Sequence, residues 1–332
     1  MDFGVLSTAG IAQKAFLPAV ESSDHETVAI ASRSEDRAAV VADEYDIEHV
    51  YDGYGSLLED APIDAVYIPL PNGLHAEWTK AAADAGVDIL CEKPLAVDTV
   101  EAREVVDYCE QRDVTLMEGF MYLYHPRTQR ALEIADEQFG TIRSVTASFK
   151  FSLRGRPNDI RLSPDLYGGS LMDVGCYPVS VVRQFLGEPS RVYAHADDSR
   201  DAGVDTELAG ILEYASGASA RIASGFDTQK TQSYRVEAEN GWLEVRDAFD
   251  VPSGEPLELE YAIDGRRVVE TFEPVDQYRL EVEHFADCVE NGEAPRTDGS
   301  EAISNMAVLD ALAQSADAGT AVDIGAAVDV EY

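Results

Sequence analysis

Along roughly the first 118 residues, short apolar runs alternate with stretches whose apolar positions recur every three or four residues. Phe3 to Leu6, Val28 to Ala31, Ala65 to Ile68, Val87 to Cys91 and Val114 to Met117 read as strands, because each run is short, partly β-branched and bounded by turn residues. Ser34 to Tyr45 and Thr99 to Gln111 have helical spacing, with Ser34 and Asp98 placed as N-caps. Strand and helix in regular alternation predict a doubly wound parallel sheet.

The rhythm changes after His125-Pro126. A helix through about Glu137 leads into longer alternating runs: Ser144 to Phe151, Arg191 to Ala196, Thr206 to Tyr214, Ala218 to Phe226, Tyr234 to Ala238, Leu257 to Ile263 and Arg267 to Phe272. Turn pairs at Ser216-Gly217, Asn240-Gly241 and Asp264-Gly265 join neighbouring runs, so this part reads as α+β on a large, mainly antiparallel open sheet. Two helices, near Tyr278 to Glu290 and Glu301 to Ala316, follow. With 332 residues, and roughly 150 per domain, the chain divides into an expected nucleotide domain, 1–120, and a substrate and oligomerisation domain, 121–332.

The sign of the charge narrows the function. Sixty-three Asp and Glu stand against 25 Lys and Arg, a net charge of -38, which excludes nucleic-acid binding by phosphate neutralisation. Only five positions are Lys and the acids are dispersed, as on proteins of a salt-accumulating cytoplasm where salt screens self-repulsion. Cys91, Cys109, Cys176 and Cys288 are widely and irregularly spaced, which favours reduced, buried thiols and gives no metal-ligand pattern. No apolar run reaches membrane-spanning length and no leader is evident, so a cytoplasmic protein without membrane attachment is expected.

In a doubly wound sheet the first strand-to-helix turn receives the phosphates of a dinucleotide. Here Ser7, Ala9 and Ala12 occupy the three positions usually held by glycine, with Thr8 and Ile11 between them. The second strand ends in Ser32-Arg33, with Arg37 one turn on, where an NAD site usually has an acid. A guanidinium and a hydroxyl suit a 2′-phosphate, so NADP is expected, with NAD the lesser alternative.

Five segments, in order, then carry a likeness. Gly4 to Ala12, Pro71-Asn72-Gly73-Leu74-His75, Glu92-Lys93-Pro94, Glu118-Gly119-Phe120-Met121-Tyr122 and Gly168 to Pro178 together resemble the glucose-fructose oxidoreductase and inositol dehydrogenase (Gfo/Idh/MocA) family over nearly the whole length. The resemblance implies a Rossmann domain in which Pro71, Asn72, His75, Glu92 and Lys93 border the cofactor. It assigns Tyr177 as the acid/base and Lys93 as the cation that a phenol of ordinary pKa near 10 needs at neutral pH. Asp173, four residues before Tyr177, would orient Lys93 or bind a substrate hydroxyl, and Tyr122, Asn158 and Asp159 would meet the sugar. Read without the resemblance, Asp173 is more often a helix cap, Tyr177 more often core and Lys93 more often a surface residue.

One departure concerns substrate contacts. Sugar-oxidising relatives commonly have Arg where this chain has Leu123, so that contact is lost or supplied by Arg127, Arg156 or Arg161. The implied activity is NADP-dependent oxidation of an aldose, a xylose-like pentose or glucose, at C1 to the aldonolactone. Oxidation of trans-dihydrodiols is the alternative within the family, and a catalytically silent nucleotide-binding regulator is the alternative outside it. A homodimer or homotetramer through the C-terminal sheet is expected.

Overall fold

The computed structural model describes residues 1–251 and 254–324. By internal packing these form two compact units, 1–121 with 276–303, and 122–275 with the segment from Ser304 onward.

The first unit is built on six parallel strands, β1 (Asp2–Leu6), β2 (Glu26–Ser32), β3 (His49–Asp52), β4 (Ala65–Ile68), β5 (Asp88–Glu92) and β6 (Leu116–Gly119). Their order, β3-β2-β1-β4-β5-β6, reverses direction beside β1, the position where such sheets bind nucleotides. Burial on both faces explains the unbroken apolar runs: every residue of β4 is buried, as are Phe3, Val5 and Leu6 of β1. The crossovers carry α1 (Leu17–Glu21), α2 (Glu35–Glu44), α3 (Tyr54–Asp60), α4 (His75–Asp84) and α5 (Thr99–Glu110). Asp98 caps α5 by accepting the Glu101 amide at 2.7 Å, whereas Ser34 occupies the N-cap position of α2 without a capping bond.

The helix Gln277–Asn291, which the sequence places in the second domain, packs instead with the first unit. Its fully buried Phe285 lies against Phe3, with ring centroids 6.2 Å apart, and Arg279 donates to the Ser22 carbonyl.

The second unit holds a nine-stranded sheet: β7 (Ile142–Ser152), β8 (Arg191–Asp197), β9 (Glu207–Glu213), β10 (Ser219–Gly225), β11 (Asp227–Ala238), β12 (Gly241–Arg246), β13 (Leu257–Ile263), β14 (Arg266–Phe272) and β15 (Val322–Asp323). The order is β14-β13-β12-β11-β7-β10-β9-β8-β15, antiparallel throughout except between β7 and β10. One face is apolar, with Val145, Ala147, Val236, Leu243 and Leu259 buried, and packs with α6 (Pro126–Glu137) and α7 (Cys176–Leu186). The other face carries exposed Tyr193 and Ile211 and a row of ion pairs, Arg235 with Glu237 and Glu244, and Arg246 with Glu244. Among the described residues no helix is long and apolar enough to cross a membrane.

His125 shows how α6 begins. Its Nδ1 accepts the Arg127 amide at 3.0 Å, which places the ring proton on Nε2. Burial, reinforced by the Arg127 charge, lowers the imidazole pKa to about 4. The folded value lies below the ordinary one near 6.5, so the unfolded chain binds the proton first as acidity rises. Stability is therefore complete above pH 6.5 and lost as pH falls toward 4, at up to about 1.4 kcal/mol per pH unit. His125→Asn keeps a capping acceptor without titrating in this range. Between pH 7 and 5, at fixed high salt, its unfolding midpoint should fall less steeply than that of the unsubstituted protein; equal slopes would show that His125 is not the group responsible.

Candidate active site

The nucleotide end of the first unit is assembled from three chain segments. Ser7, Thr8 and Ala9 follow β1, Ser32, Arg33, Ser34 and Arg37 follow β2, and Tyr54 opens α3; together they line a cavity of 190 Å³. Ser7 has φ of +152°, in a region that L residues rarely adopt, at the position where glycine would normally stand. The fingerprint's backbone turn is therefore kept although its glycine is not. Arg33 and Arg37 are exposed and make no ion pair among the described residues, and no acid lines the cavity. Two uncompensated guanidiniums and the hydroxyls of Ser32 and Ser34 fit the extra phosphate of NADP and leave no carboxylate to hold an NAD ribose. Ile11 and Ala12 lie beyond the lining, Ala12 in the π-helical turn Ala12–Phe16 and buried.

Further along the carboxyl ends, the loops after β4 and β5 are fastened to each other. His75 was expected beside the cofactor, but it is fully buried, its ring nitrogens each 2.7 Å from a carbonyl oxygen, one of Pro94 and one of Leu70. Burial pulls its pKa to about 4, so the neutral ring donates to one of the two. Its part in the site is to tie Leu70-Pro71-Asn72 to Lys93-Pro94. Glu118, also buried, accepts the Leu95 amide at 2.8 Å, while its own carbonyl accepts from Thr297 Oγ1 at 2.6 Å. Lys93 is half-buried on this doubly anchored loop, and Glu92 accepts from the Tyr67 hydroxyl at 2.7 Å.

In the second unit the segment Gly168 to Tyr177 is held with equal care. A β-carbon on Gly168 would collide with the Arg161 carbonyl oxygen, and Gly169 has φ of +107° against Asp205, so only glycines fit. Asp205 accepts from Ser170 Oγ at 2.6 Å and from the Leu171 amide at 2.8 Å, although burial pushes its pKa up. A π-helical turn, Leu171–Gly175, then runs into α7 and presents Asp173 and Tyr177 in successive turns. Asp173 accepts from Arg161 Nε at 2.8 Å, and Arg161 also reaches Asp159 at 3.2 Å. Asp173 foremost, with Asp159, raises the Arg161 pKa and keeps it fully charged.

Tyr177 is 5% exposed, its ring 5.4 Å from both Phe149 and Phe249 and 6.0 Å from Tyr122. Tyr122 is fully buried, with its hydroxyl 2.8 Å from Ser180 Oγ, so it forms part of the wall behind Tyr177. Asn158 is exposed on the loop after β7, and Asp159 is engaged by Arg161 and, at 3.5 Å, by Arg156. Of the three arginines considered as substitutes beside Leu123, Arg161 reaches Asp173, Arg156 stays with Asp159, and Arg127 is buried on main-chain carbonyls. Sequence reasoning missed Ser34 and Tyr54 in the nucleotide cavity and Phe249 beside Tyr177; only Ser34, next to Arg33, carried a readable signal. Among the described residues no group of three or more His, Cys, Asp or Glu is arranged to hold a metal.

Comparison with known proteins places both units in one family. Residues 1–120 match the oxidoreductase family with an NAD-binding Rossmann fold, and residues 129–244 match the GFO/IDH/MocA C-terminal domain. The chain is 55% identical over 324 residues to D-xylose 1-dehydrogenase (NADP(+)) 2 of Haloferax volcanii, covering 98% of this chain and 100% of that protein. A 3-ketoreductase from Actinomadura kijaniata, solved with NADP and TDP-benzene, superposes with TM-score 0.89 at 32% identity, covering 95% of this chain and 97% of the other. The aldose-aldose oxidoreductase of Caulobacter crescentus, complexed with glycerol, gives TM-score 0.90 at 25% identity over 97% and 99% of the two chains. Both of its units, and the motifs that join strand ends to loops within them, make this chain a member of the Gfo/Idh/MocA oxidoreductase family.

Proposed function

We propose that the protein is an NADP-dependent dehydrogenase that oxidises an aldose, preferentially a xylose-like pentose and more slowly glucose, at C1 to the aldonolactone. The observation that carries this reading is the 55% identity, over nearly the full length of both chains, to an NADP-dependent D-xylose 1-dehydrogenase. The cavity lined by Arg33 and Arg37 adds a physical reason for NADP. Ser7, Thr8 and Ala9 would receive the pyrophosphate, Ser32, Arg33, Ser34 and Arg37 the 2′-phosphate, and the loops at Pro71-Asn72 and Glu92-Lys93 the nicotinamide half. When bound, the nicotinamide supplies the hydride acceptor.

The chain's own residues manage the proton. Tyr177, in its phenolate form, takes the proton of the C1 hydroxyl while the C1–H electron pair departs, and the oxygen lone pair closes the lactone carbonyl. The Glu92-Lys93-Pro94 motif supports Lys93 as the cation that makes the phenolate accessible near neutral pH. Asp173, held at 2.8 Å by Arg161, is fixed in place where it would meet a sugar hydroxyl as an acceptor. A neutral sugar suits a protein of net charge -38, since an anion would be repelled at long range. The dispersed acids fit a cytoplasm rich in salt, and the one-sided burial of the nine-stranded sheet, with Tyr193 and Ile211 exposed, supports a homodimer or homotetramer formed through that face.

The deciding experiment assays aldoses and trans-dihydrodiols with NADP and with NAD at high salt. Xylose with NADP should give the highest specificity constant, and glucose should turn over more slowly. A 2-deoxy aldose should do poorly, because an unpaired buried partner costs about 1–3 kcal/mol. NADPH formation from dihydrodiols alone would overturn the aldose assignment.

For the cofactor, Arg33→Asp should weaken NADP binding by one to two powers of ten, on the scale of a lost charge-assisted contact of about 1.5–3 kcal/mol. Calorimetric titration of both cofactors checks this, and a wild-type preference for NAD would defeat it. For the chemistry, Tyr177→Phe should bind NADP normally and turn over roughly 10²-fold or more slowly. Near-normal rates in that variant would place the base elsewhere.

A further inference from the structure

The loop after β12 holds Phe249 in an unusual way. Two buried polar side chains from different elements spend their hydrogen bonds on it. Arg127, on α6, is 1% exposed and donates to the Arg246 carbonyl at 2.8 Å and the Asp247 carbonyl at 2.5 Å. Gln232, on β11, is 3% exposed; its Oε1 accepts the Phe249 amide at 3.2 Å and the Asp250 amide at 2.6 Å, and its Nε2 donates to the Asp250 carbonyl at 2.6 Å. Asp247 between them has φ of +47°, in the left-handed region.

Burying a guanidinium is costly, and here its hydrogen bonds go to main-chain carbonyls, with the Asp247 charge nearby as partial compensation. Its Nε has no hydrogen-bond partner among the described residues. What these contacts secure is the placement of one ring. Phe249 is fully buried, stacked on Phe149 at 5.4 Å with 17° between planes, edge-on to Tyr122 at 5.2 Å, and 5.4 Å from Tyr177. A ring in that position limits the tilt of the phenol and keeps water from its side.

We propose that Arg127 and Gln232 are positioning residues for the reaction, clamping the 246–250 loop so that Phe249 fixes the orientation and solvation of the Tyr177 phenol. The inference rests on the reading of Tyr177 as the acid/base and adds to it two residues remote from any reacting atom. Loosening the clamp should lower kcat about ten- to a hundredfold, as small misplacements of reacting groups do. It should also admit water, which favours the phenolate, and so move the Tyr177 limb of the pH profile to lower pH.

The experiment compares Gln232→Met, Phe249→Leu, their double variant, Arg127→Lys and Tyr177→Phe, all in the full-length protein. The measurements are NADP affinity, kcat and KM for the best aldose, and kcat against pH. Gln232→Met and Phe249→Leu should each bind NADP normally, lose kcat with little change in KM, and show the displaced limb. The double variant should be no worse than the worse single one, because the clamp acts through Phe249. Arg127→Lys, which keeps the charge but fewer donors, should show a smaller displacement of the same limb. Multiplicative losses in the double variant, or an unmoved limb in Phe249→Leu while Tyr177→Phe is inactive, would overturn the clamp alone. Near-normal turnover in Tyr177→Phe would overturn the acid/base reading and the clamp with it.

Discussion

The short hydrogen bonds from Ser170 and the Leu171 amide to the half-buried carboxylate of Asp205 set where the proposed catalytic segment of the second unit begins. They hold the first residues of a helical segment whose next turns carry Asp173 and Tyr177. A carboxylate at a helix start satisfies amides that otherwise lack partners, and here it also sits against Gly169, while the Arg161 carbonyl crowds Gly168. Loosening this turn would shift Asp173 away from Arg161 and rotate Tyr177 within its aromatic wall. The Gly-Gly pair is thus a rigid fitting.

Charge is distributed on two scales. Across the whole molecule acids outnumber bases by more than two to one, which sets a repulsive long-range field toward anions. At the end of β2 the balance is reversed, because Arg33 and Arg37 face a cavity without acids. Arg161, by contrast, is fully engaged by Asp159 and Asp173, so it acts as a fastener and adds little attraction of its own. The acidic field therefore selects against anions in general, while the β2 corner remains open to a phosphate.

The parts legible in the sequence were those governed by local periodicity or by motifs. The five parallel strands carrying continuous apolar runs, the cap at Asp98 and the residues around Arg33 all follow from neighbours in the chain. Strand β3, three half-buried residues and an exposed Asp52, has too little contrast to read. The start of β11, Asp227 to Thr231, is exposed throughout, so it lacks the alternation that marks a strand. His75 illustrates a different loss, since its motif was visible but the two carbonyls that flank its ring nitrogens come from residues 5 and 19 positions away. Phe249 was invisible for the same reason: four other aromatic rings meet it, and every one is supplied by a different element.

The return of Gln277–Asn291 to the first unit has a temporal side. Phe285 supplies a fully buried ring against Phe3, at the very first strand. As the chain leaves the ribosome, the parallel sheet can form its strands early, yet the apolar surface around Phe3 stays open until some 280 further residues have emerged. The nucleotide-binding half, first in sequence, is therefore among the last parts to be sealed, and most of the second unit's strands emerge while that surface is still uncovered.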